Sequence, residues 1–274
     1  MIMGIFIVSN AQSDMDYNPY QHAREEYIKT GDEFFESFQK VDCNENKEFI
    51  QNAIDGYYAG EYSGEKFEEI SSFLGKMYCP EIITFFEKVV EIDSSEKVRC
   101  DAMQKLGWLR AKTSVPILLN HLNSNISDYE KACIGSCLTI IGEWNLAVPV
   151  LNAVCFCKDD DILQKCIWSY YIVGGENAIN YFNLMFEQDE SRKPAAALFL
   201  AELGEYEKAL PYFVEIMNTG GIGNQILYAI KGLAAIGTEE AFKLIKEQTQ
   251  NKNEVIAKEA KWIFNYIDIK RRER

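Results

Sequence analysis

The chain has 274 residues, of which 47% are hydrophobic and 26% charged, a composition typical of folded rather than disordered proteins. It contains no apolar run of about 18 residues, which argues against a hydrophobic membrane-spanning helix. Its net charge of -14 disfavours nucleic acid as a partner, because phosphate is bound through basic surfaces.

The negative charge is concentrated at one end of the sequence. Residues 1–96 contain 20 acidic and 7 basic side chains, a net charge of -13, whereas residues 97–274 contain 22 and 21, a net charge of -1. An acidic surface attracts basic proteins over a distance. It also keeps a helical surface soluble, and both interpretations stay open.

Residues 1–11 are similar to the end of a signal peptide. An apolar stretch from Ile2 to Val8 is followed by Ser-Asn-Ala, a small-x-small pattern that ends at Ala11. No lysine or arginine precedes Arg24, so the basic segment that opens most signal peptides is missing. Export remains one alternative, and a cytoplasmic protein whose apolar start packs on its first helix is the other.

Residues 12–63 are predicted to form a helical cap. Apolar side chains with helical spacing occur in one segment that ends at Phe38 and in another from Phe49 to Tyr57.

Residues 64–251 contain a repeated pattern. An apolar residue followed by glycine recurs at intervals of 32, 35, 32, 30 and 33 residues, at Leu74-Gly75, Leu106-Gly107, Ile141-Gly142, Val173-Gly174, Leu203-Gly204 and Ile236-Gly237. Each glycine separates two amphipathic segments, which predicts a helix closed by a left-handed glycine and then a second helix. Four prolines are predicted in the first turns of these second helices: Pro80, Pro116, Pro149 and Pro211.

The second repeat carries a family resemblance. Its segment Val98–Gly107 has the pattern VRxxAxxxLG and resembles the first helix of HEAT-like repeats of the bilin-lyase type. One later segment, Leu203–Tyr212, resembles a tetratricopeptide repeat instead. Both resemblances imply an all-α fold, an α-solenoid of about six stacked helix-turn-helix repeats with helical caps.

Residues 252–274 are predicted to form the C-terminal capping helix, from about Glu254 to Ile269, and a basic tail. The tail contains Lys270, Arg271, Arg272 and Arg274. Cations at this end of a helix interact favourably with its dipole.

The residues that usually carry metal chemistry are poorly arranged. The eight cysteines form no CxxC pair, and the chain has only two histidines, His22 and His121. We therefore expect buried free thiols, no metal site and no cofactor. His121 lies beside an apolar stripe without an evident partner in the sequence, so we expect an ordinary boundary histidine.

No HExxH, Walker A or GxSxG motif occurs. HEAT-like enzymes of the hydroxylase type carry His-Glu pairs for iron, and those of the DNA-glycosylase type use a basic cleft; this chain has neither feature. The sequence therefore predicts no enzyme, but a non-catalytic scaffold that binds another protein on the concave face of the second helices. An inhibitor or immunity-type protein that neutralises a basic partner through the acidic first third is the alternative. A HEAT-like enzyme such as a lyase is the third.

Turning the apolar stripes inward places polar side chains on the opposite side of the second helices. These side chains are the candidate binding residues: Glu87, Glu91, Asn120, Asn180, Asn183, Glu187, Glu215, Lys243 and Lys246.

Overall fold

The computed structural model describes residues 23–39, 41–62, 65–222 and 224–272; within these ranges the side chains of residues 23–28, 34, 65 and 268–272 are not described. The segment similar to a signal peptide, residues 1–11, lies outside them. The described residues form fifteen α-helices, one short 3-10 helix at Lys112–Ser114 and no strand, which confirms the all-α prediction. The α-helices are α1 (Ala23–Gln39), α2 (Lys47–Tyr58), α3 (Glu65–Leu74), α4 (Pro80–Ile92), α5 (Glu96–Trp108), α6 (Val115–Leu122), α7 (Asp128–Ile141), α8 (Trp144–Asn152), α9 (Asp160–Val173), α10 (Gly175–Gln188), α11 (Lys193–Glu202), α12 (Tyr206–Thr219), α13 (Gln225–Ile236), α14 (Glu239–Gln248) and α15 (Glu254–Arg272).

Helices α3 to α14 follow one another along the chain at about two helices per repeat interval. The chain divides into two compact units, one of which comprises Ile28–Val173. In this unit α5 packs on α7 and α7 on α9, while α4 packs on α6. The other unit contains α10 to α15, and there α11 packs on α13 and α13 on α15. The odd-numbered helices from α5 to α9 and from α11 to α15 therefore contact one another in turn within their units, the packing expected of helical repeats.

Helix α4 illustrates why these segments fold as they do. It begins with Pro80 in its first turn, where the missing N–H has no helical partner to lose. Its buried side chains include Ile82, Phe86 and Val89, which are fully enclosed and lie on one face because they are three or four residues apart.

The glycine prediction is correct at some positions and wrong at Gly75, whose φ is not positive, and at Gly107. Gly142 and Gly237 close α7 and α13 in the left-handed conformation, with φ of 95° and 74°. Gly107 instead lies inside α5, where a Cβ atom would be 3.3 Å from the Cα of Cys137. This glycine lets α5 and α7 approach closely, and Arg110, with φ of 47°, supplies the left-handed residue after α5.

The proline prediction is confirmed for Pro80 and Pro116 and wrong for the other two. Pro149 and Pro211 lie inside α8 and α12, because these helices begin earlier than the sequence suggested. The start of α8 is fixed by Trp144, whose indole Nε1 donates to the carbonyl of Thr139 at 3.1 Å. Each internal proline removes one helical hydrogen bond.

Two cysteines are not free thiols. Cys43, in the turn before α2, forms a disulfide with Cys79, the residue that precedes α4. The expectation of free thiols is wrong for this pair, whereas Cys100, Cys133, Cys137, Cys155, Cys157 and Cys166 are free. The bond closes a loop across a sequence separation of 36 residues and ties α2 to the first repeat.

The substitution Leu106→Ala tests the buried stripe of α5. The Leu106 side chain is fully buried, so we expect a loss of about 2 to 5 kcal/mol in the free energy of unfolding. Urea denaturation followed by circular dichroism measures it. The exposed residue Gln104 on the same helix provides a control, because Gln104→Ala should change stability by less than about 0.5 kcal/mol. Equal effects would contradict the assigned stripe.

Reduction of the disulfide should also destabilise the protein. Loop closure over this separation corresponds to about 3 to 4 kcal/mol in the chain-entropy account. We expect the double variant Cys43→Ser/Cys79→Ser to unfold at correspondingly lower urea and to lose its response to dithiothreitol. A wild-type midpoint that ignores dithiothreitol, with loss of the bond verified by mass spectrometry, would contradict this expectation.

Candidate functional site

A buried carboxylate joins three helices of the first unit. Glu130, near the start of α7, accepts hydrogen bonds through its Oε1 atom from Arg99 Nε of α5 at 2.7 Å and from His121 Nε2 of α6 at 3.0 Å. Only 3% of the Glu130 side chain is exposed. Arg99 also donates from Nη1 to the carbonyl oxygen of Asp93 at 2.7 Å, which links the cluster to the end of α4.

The position of Glu130 follows from a local sequence signal. Ser127 precedes α7, and its hydroxyl oxygen accepts a hydrogen bond from the backbone N–H of Glu130 at 3.1 Å. This cap fixes the first turn of α7, as expected for serine three residues before the capped N–H. The glutamate side chain is thereby directed to Arg99 and His121.

The electrostatic environment keeps Glu130 ionised. Burial opposes the charged form, but the hydrogen bonds and charges of Arg99 and His121 outweigh it, so the pKa of Glu130 falls below its ordinary value. The hydrogen bond to Glu130 in turn raises the pKa of Arg99. Because an ionised carboxylate only accepts hydrogen bonds, Nε2 of His121 must carry the hydrogen in this contact.

A surface depression lies at the edge of this cluster. Its volume is about 260 Å³, and it is lined by Glu91, Ile117, Asn120, His121 and Ser124. The side chain of His121 is 14% exposed and thus connects the buried carboxylate to the depression. Carboxylate, amide and hydroxyl groups around one apolar residue suit a polar or cationic ligand group.

The hydrogen bond to Glu130 also orients the imidazole of His121. When the imidazole is neutral and donates from Nε2, its Nδ1 atom is left as a hydrogen-bond acceptor. A histidine oriented in this way by a carboxylate is a common arrangement for acid–base chemistry.

A second buried charge lies between α3 and α5. The ammonium group of Lys105, whose side chain is 3% exposed, lies 3.0 Å from Asp101 and faces the ring of Trp108 at 4.3 Å. Asp101 also accepts a hydrogen bond from the hydroxyl of Ser71. These groups satisfy one another, and they join two helices rather than face a cavity.

The nine candidate residues are divided between the two units. Glu91 and Asn120 line the depression, and Glu87 lies near them on α4, where it accepts a hydrogen bond from Ser114 at 2.7 Å. The structure therefore brings three of the predicted residues to one region of the first unit.

The remaining six candidates lie in the second unit. Glu187 pairs with Lys208 at 2.6 Å, and the ammonium group of Lys246 faces the ring of Phe264 at 5.7 Å. Asn180, Glu215 and Lys243 are exposed, and Asn183 is half-buried.

Sequence reasoning missed the cluster itself. Arg99 is the arginine of the VRxxAxxxLG pattern, but its partner Glu130 is 31 residues away. His121 lies at the boundary of the core, as predicted, but it contacts this carboxylate, a partner that the sequence did not reveal. The available signal was the pattern Ser127-x-x-Glu130, which is typical of a helix start.

No family model matches the chain, and no curated protein matches it. Among solved structures, that of human deoxyhypusine hydroxylase in complex with glycerol is similar, with 12% sequence identity and a TM-score of 0.32. The similarity covers 89% of this chain and 99% of the hydroxylase. None of the helices in the described part of the chain combines the length and apolar character needed to cross a membrane.

This comparison corrects the predicted function. The solved structure is that of an enzyme, so the prediction of a protein without catalytic activity, acting as a scaffold or as an inhibitor, is contradicted and we do not retain it. The similarity itself assigns no reaction to this chain. Among the described residues, no group of three or more histidine, cysteine, aspartate or glutamate side chains is arranged to hold a metal ion.

The variant Glu130→Gln tests the cluster. Removing the carboxylate leaves the Arg99 cation half-buried without its partner, and we expect a loss of about 3 to 5 kcal/mol in the free energy of unfolding at pH 7. Because the pKa of Glu130 is lowered in the folded state, its contribution is present above about pH 4 to 5 and is lost as the pH falls through the folded value. The variant should therefore lose less stability than the wild type on acidification.

Urea denaturation between pH 7 and pH 3 measures both effects. The exposed Glu69 on α3 provides the control, because Glu69→Gln should leave stability within about 0.5 kcal/mol of the wild type. If Glu130→Gln behaves like this control, the cluster does not stabilise the unit.

Proposed function

We propose that the protein binds a basic segment of another protein at the depression in front of His121. The observation that carries this proposal is that Glu91 and Asn120 line the depression together with His121, which is hydrogen-bonded to the buried Glu130. A lysine or arginine side chain entering the depression would meet the carboxylate of Glu91, the amide oxygen of Asn120 and the apolar side of Ile117. Recognition of this kind is common to enzymes and to binding proteins.

Charge supports a basic protein as the partner. Helix α4, which carries Glu91, contains three glutamates and a single lysine, Lys88. Lys88 and Glu91 are 3.1 Å apart, but both side chains are at least 40% exposed, so this pair is weak and easily exchanged. The net charge of residues 1–96 favours the approach of a basic surface and disfavours that of nucleic acid.

The repeats are proposed to be of the HEAT-like kind. The VRxxAxxxLG pattern supports this, and in the structure its arginine connects one repeat to the first helix of the next. The alternate packing of α5, α7 and α9 is that of a two-layer helical repeat.

The disulfide supports an oxidising compartment. Bonds such as Cys43–Cys79 persist in secreted and periplasmic proteins and are rare where thiols are kept reduced. We therefore propose export, which the apolar residues 2–8 also favour.

A peptide array tests the proposed partner. Each peptide carries one lysine or arginine among neutral residues and is matched with a copy that has glutamine at that position. We expect the wild type to prefer the basic copy, and Glu91→Gln and Asn120→Ala to weaken binding by roughly 3- to 10-fold, since each removes one polar contact.

The control is Glu69→Gln, which removes an exposed glutamate of the same unit but away from the depression. This variant should bind as the wild type does. Equal binding of basic and glutamine peptides, or equal loss in Glu69→Gln and Glu91→Gln, would contradict the proposal.

A further inference from the structure

Two aromatic rings of the second unit enclose a lysine side chain. The rings of Phe186 on α10 and Tyr212 on α12 are nearly perpendicular, at 83°, with centroids 5.4 Å apart. The Lys193 ammonium group, at the start of α11, lies 5.2 Å from the centroid of Phe186 and 5.6 Å from that of Tyr212. Of the cations in the described residues, Lys193 alone faces two rings.

Carboxylates also lie near this corner, the region where Phe186, Lys193 and Tyr212 meet. Glu190 lies 3.2 Å from the Lys193 ammonium group and is almost fully exposed. Burial, followed by the charges of Glu190 and Glu215, raises the pKa of Tyr212, so both carboxylates contribute negative potential at its ring. One further glutamate, Glu187, is already neutralised by Lys208 at 2.6 Å.

This arrangement is chemically a cation site. The faces of aromatic rings attract cations, and perpendicular rings attract one ammonium group from two sides. The rings of Phe186 and Tyr212 are only partly buried, so they are held by the core behind them and remain accessible from outside. The Lys193 side chain is 25% exposed and has a flexible stem that can return its ammonium group to water.

The ammonium group of Lys193 already lies over the two rings, so a ligand must be able to displace it. If another primary ammonium group replaced Lys193, one hydrated cation would be exchanged for an equivalent one, with little gain. A methylated ammonium group is less strongly hydrated and contacts the ring faces with its methyl groups, so it exchanges favourably. We infer that Phe186, Tyr212, Glu190 and Glu215 form a binding site for a quaternary or methylated ammonium group, and that Lys193 occupies this site in the free protein.

Choline is a suitable probe, because 3,3-dimethylbutan-1-ol has the same shape without the charge. The methyl protons of choline are followed by nuclear magnetic resonance as the protein is added. A group over ring faces shows a saturable upfield shift, and the neutral alcohol should show none. We expect Lys193→Ala to bind choline at least about fivefold more tightly than the wild type, because the internal competitor is removed.

The matched control is Lys208→Ala. This variant removes one positive charge from the same corner but leaves Lys193 over the rings, so its affinity for choline should stay within about twofold of the wild type. The double variant Lys193→Ala/Tyr212→Leu should lose the saturable shift. Lys193→Met keeps the length of the side chain without its charge and should bind choline more tightly than the wild type, which provides the test if the alanine variant fails to fold by circular dichroism.

Three results would overturn the inference. One is the absence of a saturable choline shift in folded Lys193→Ala or Lys193→Met. Another is an equal gain in Lys208→Ala, which would indicate only a general attraction of cations. The third is unchanged choline affinity when Tyr212→Leu is added to Lys193→Ala. All of these readouts concern the second unit, so they are independent of peptide binding at the depression in front of His121.

Discussion

The contact between α5 and α7 depends on one carboxylate that stays ionised inside the protein. Glu130 is buried, and a buried carboxylate is tolerated only if donors replace the water that it has lost. Arg99 and His121 supply those donors from two other helices, and Arg99 also binds the last carbonyl of the α4 segment. The carboxylate therefore joins α5, α6 and α7 directly, and Arg99 extends the connection to the end of α4. The orientation of His121 at the surface is a consequence of this internal requirement.

Close approach of the backbones is the second condition for this contact. Gly107 brings α5 to the Cα atom of Cys137, and Gly135 allows Leu151 of α8 to pack against the same α7 helix. A glycine inside a helix destabilises that helix slightly. At Gly107 and Gly135 the closer packing of the helices offsets this loss. Polar and steric conditions are both met on α7, which packs on α5, α8 and α9.

The sequence predicted the features that repeat along the chain, such as the apolar stripes. It did not predict the contacts between residues that are distant in the sequence. The apolar stripes were placed in the core by helical spacing, and Phe67 and Leu74 are among the apolar residues that are buried, because periodicity directly records which face avoids water. The beginnings of α8 and α12 were misjudged, since proline is compatible with more than one position near a helix start. The pairing of Arg99 with Glu130, and that of Cys43 with Cys79, depend on tertiary packing across about thirty residues and have no local signature.

The two candidate cation sites differ in how much the sequence revealed. Glu91 and Asn120 followed from assigning one side of each second helix to the surface, although His121 beside them was not expected to take part. The corner around Lys193 required knowledge of which aromatic side chains from α10 and α12 meet, and helical spacing within one element cannot provide it. Of its members only Glu215 was among the candidates, and it was chosen for its polarity rather than for its neighbours.

The disulfide has a consequence for biosynthesis. Cys43 and Cys79 are the first two cysteines along the chain, and the third, Cys100, follows 21 residues later. Under the proposed export, a chain oxidised progressively from its N-terminus exposes Cys43 and Cys79 before Cys100 and the cysteines that follow it, and joining neighbours in order requires no later reshuffling. The six remaining cysteines emerge afterwards, and five of them become buried as the repeats pack. In that setting, the order of these cysteines along the chain reduces mispairing of Cys43 and Cys79 with the later thiols.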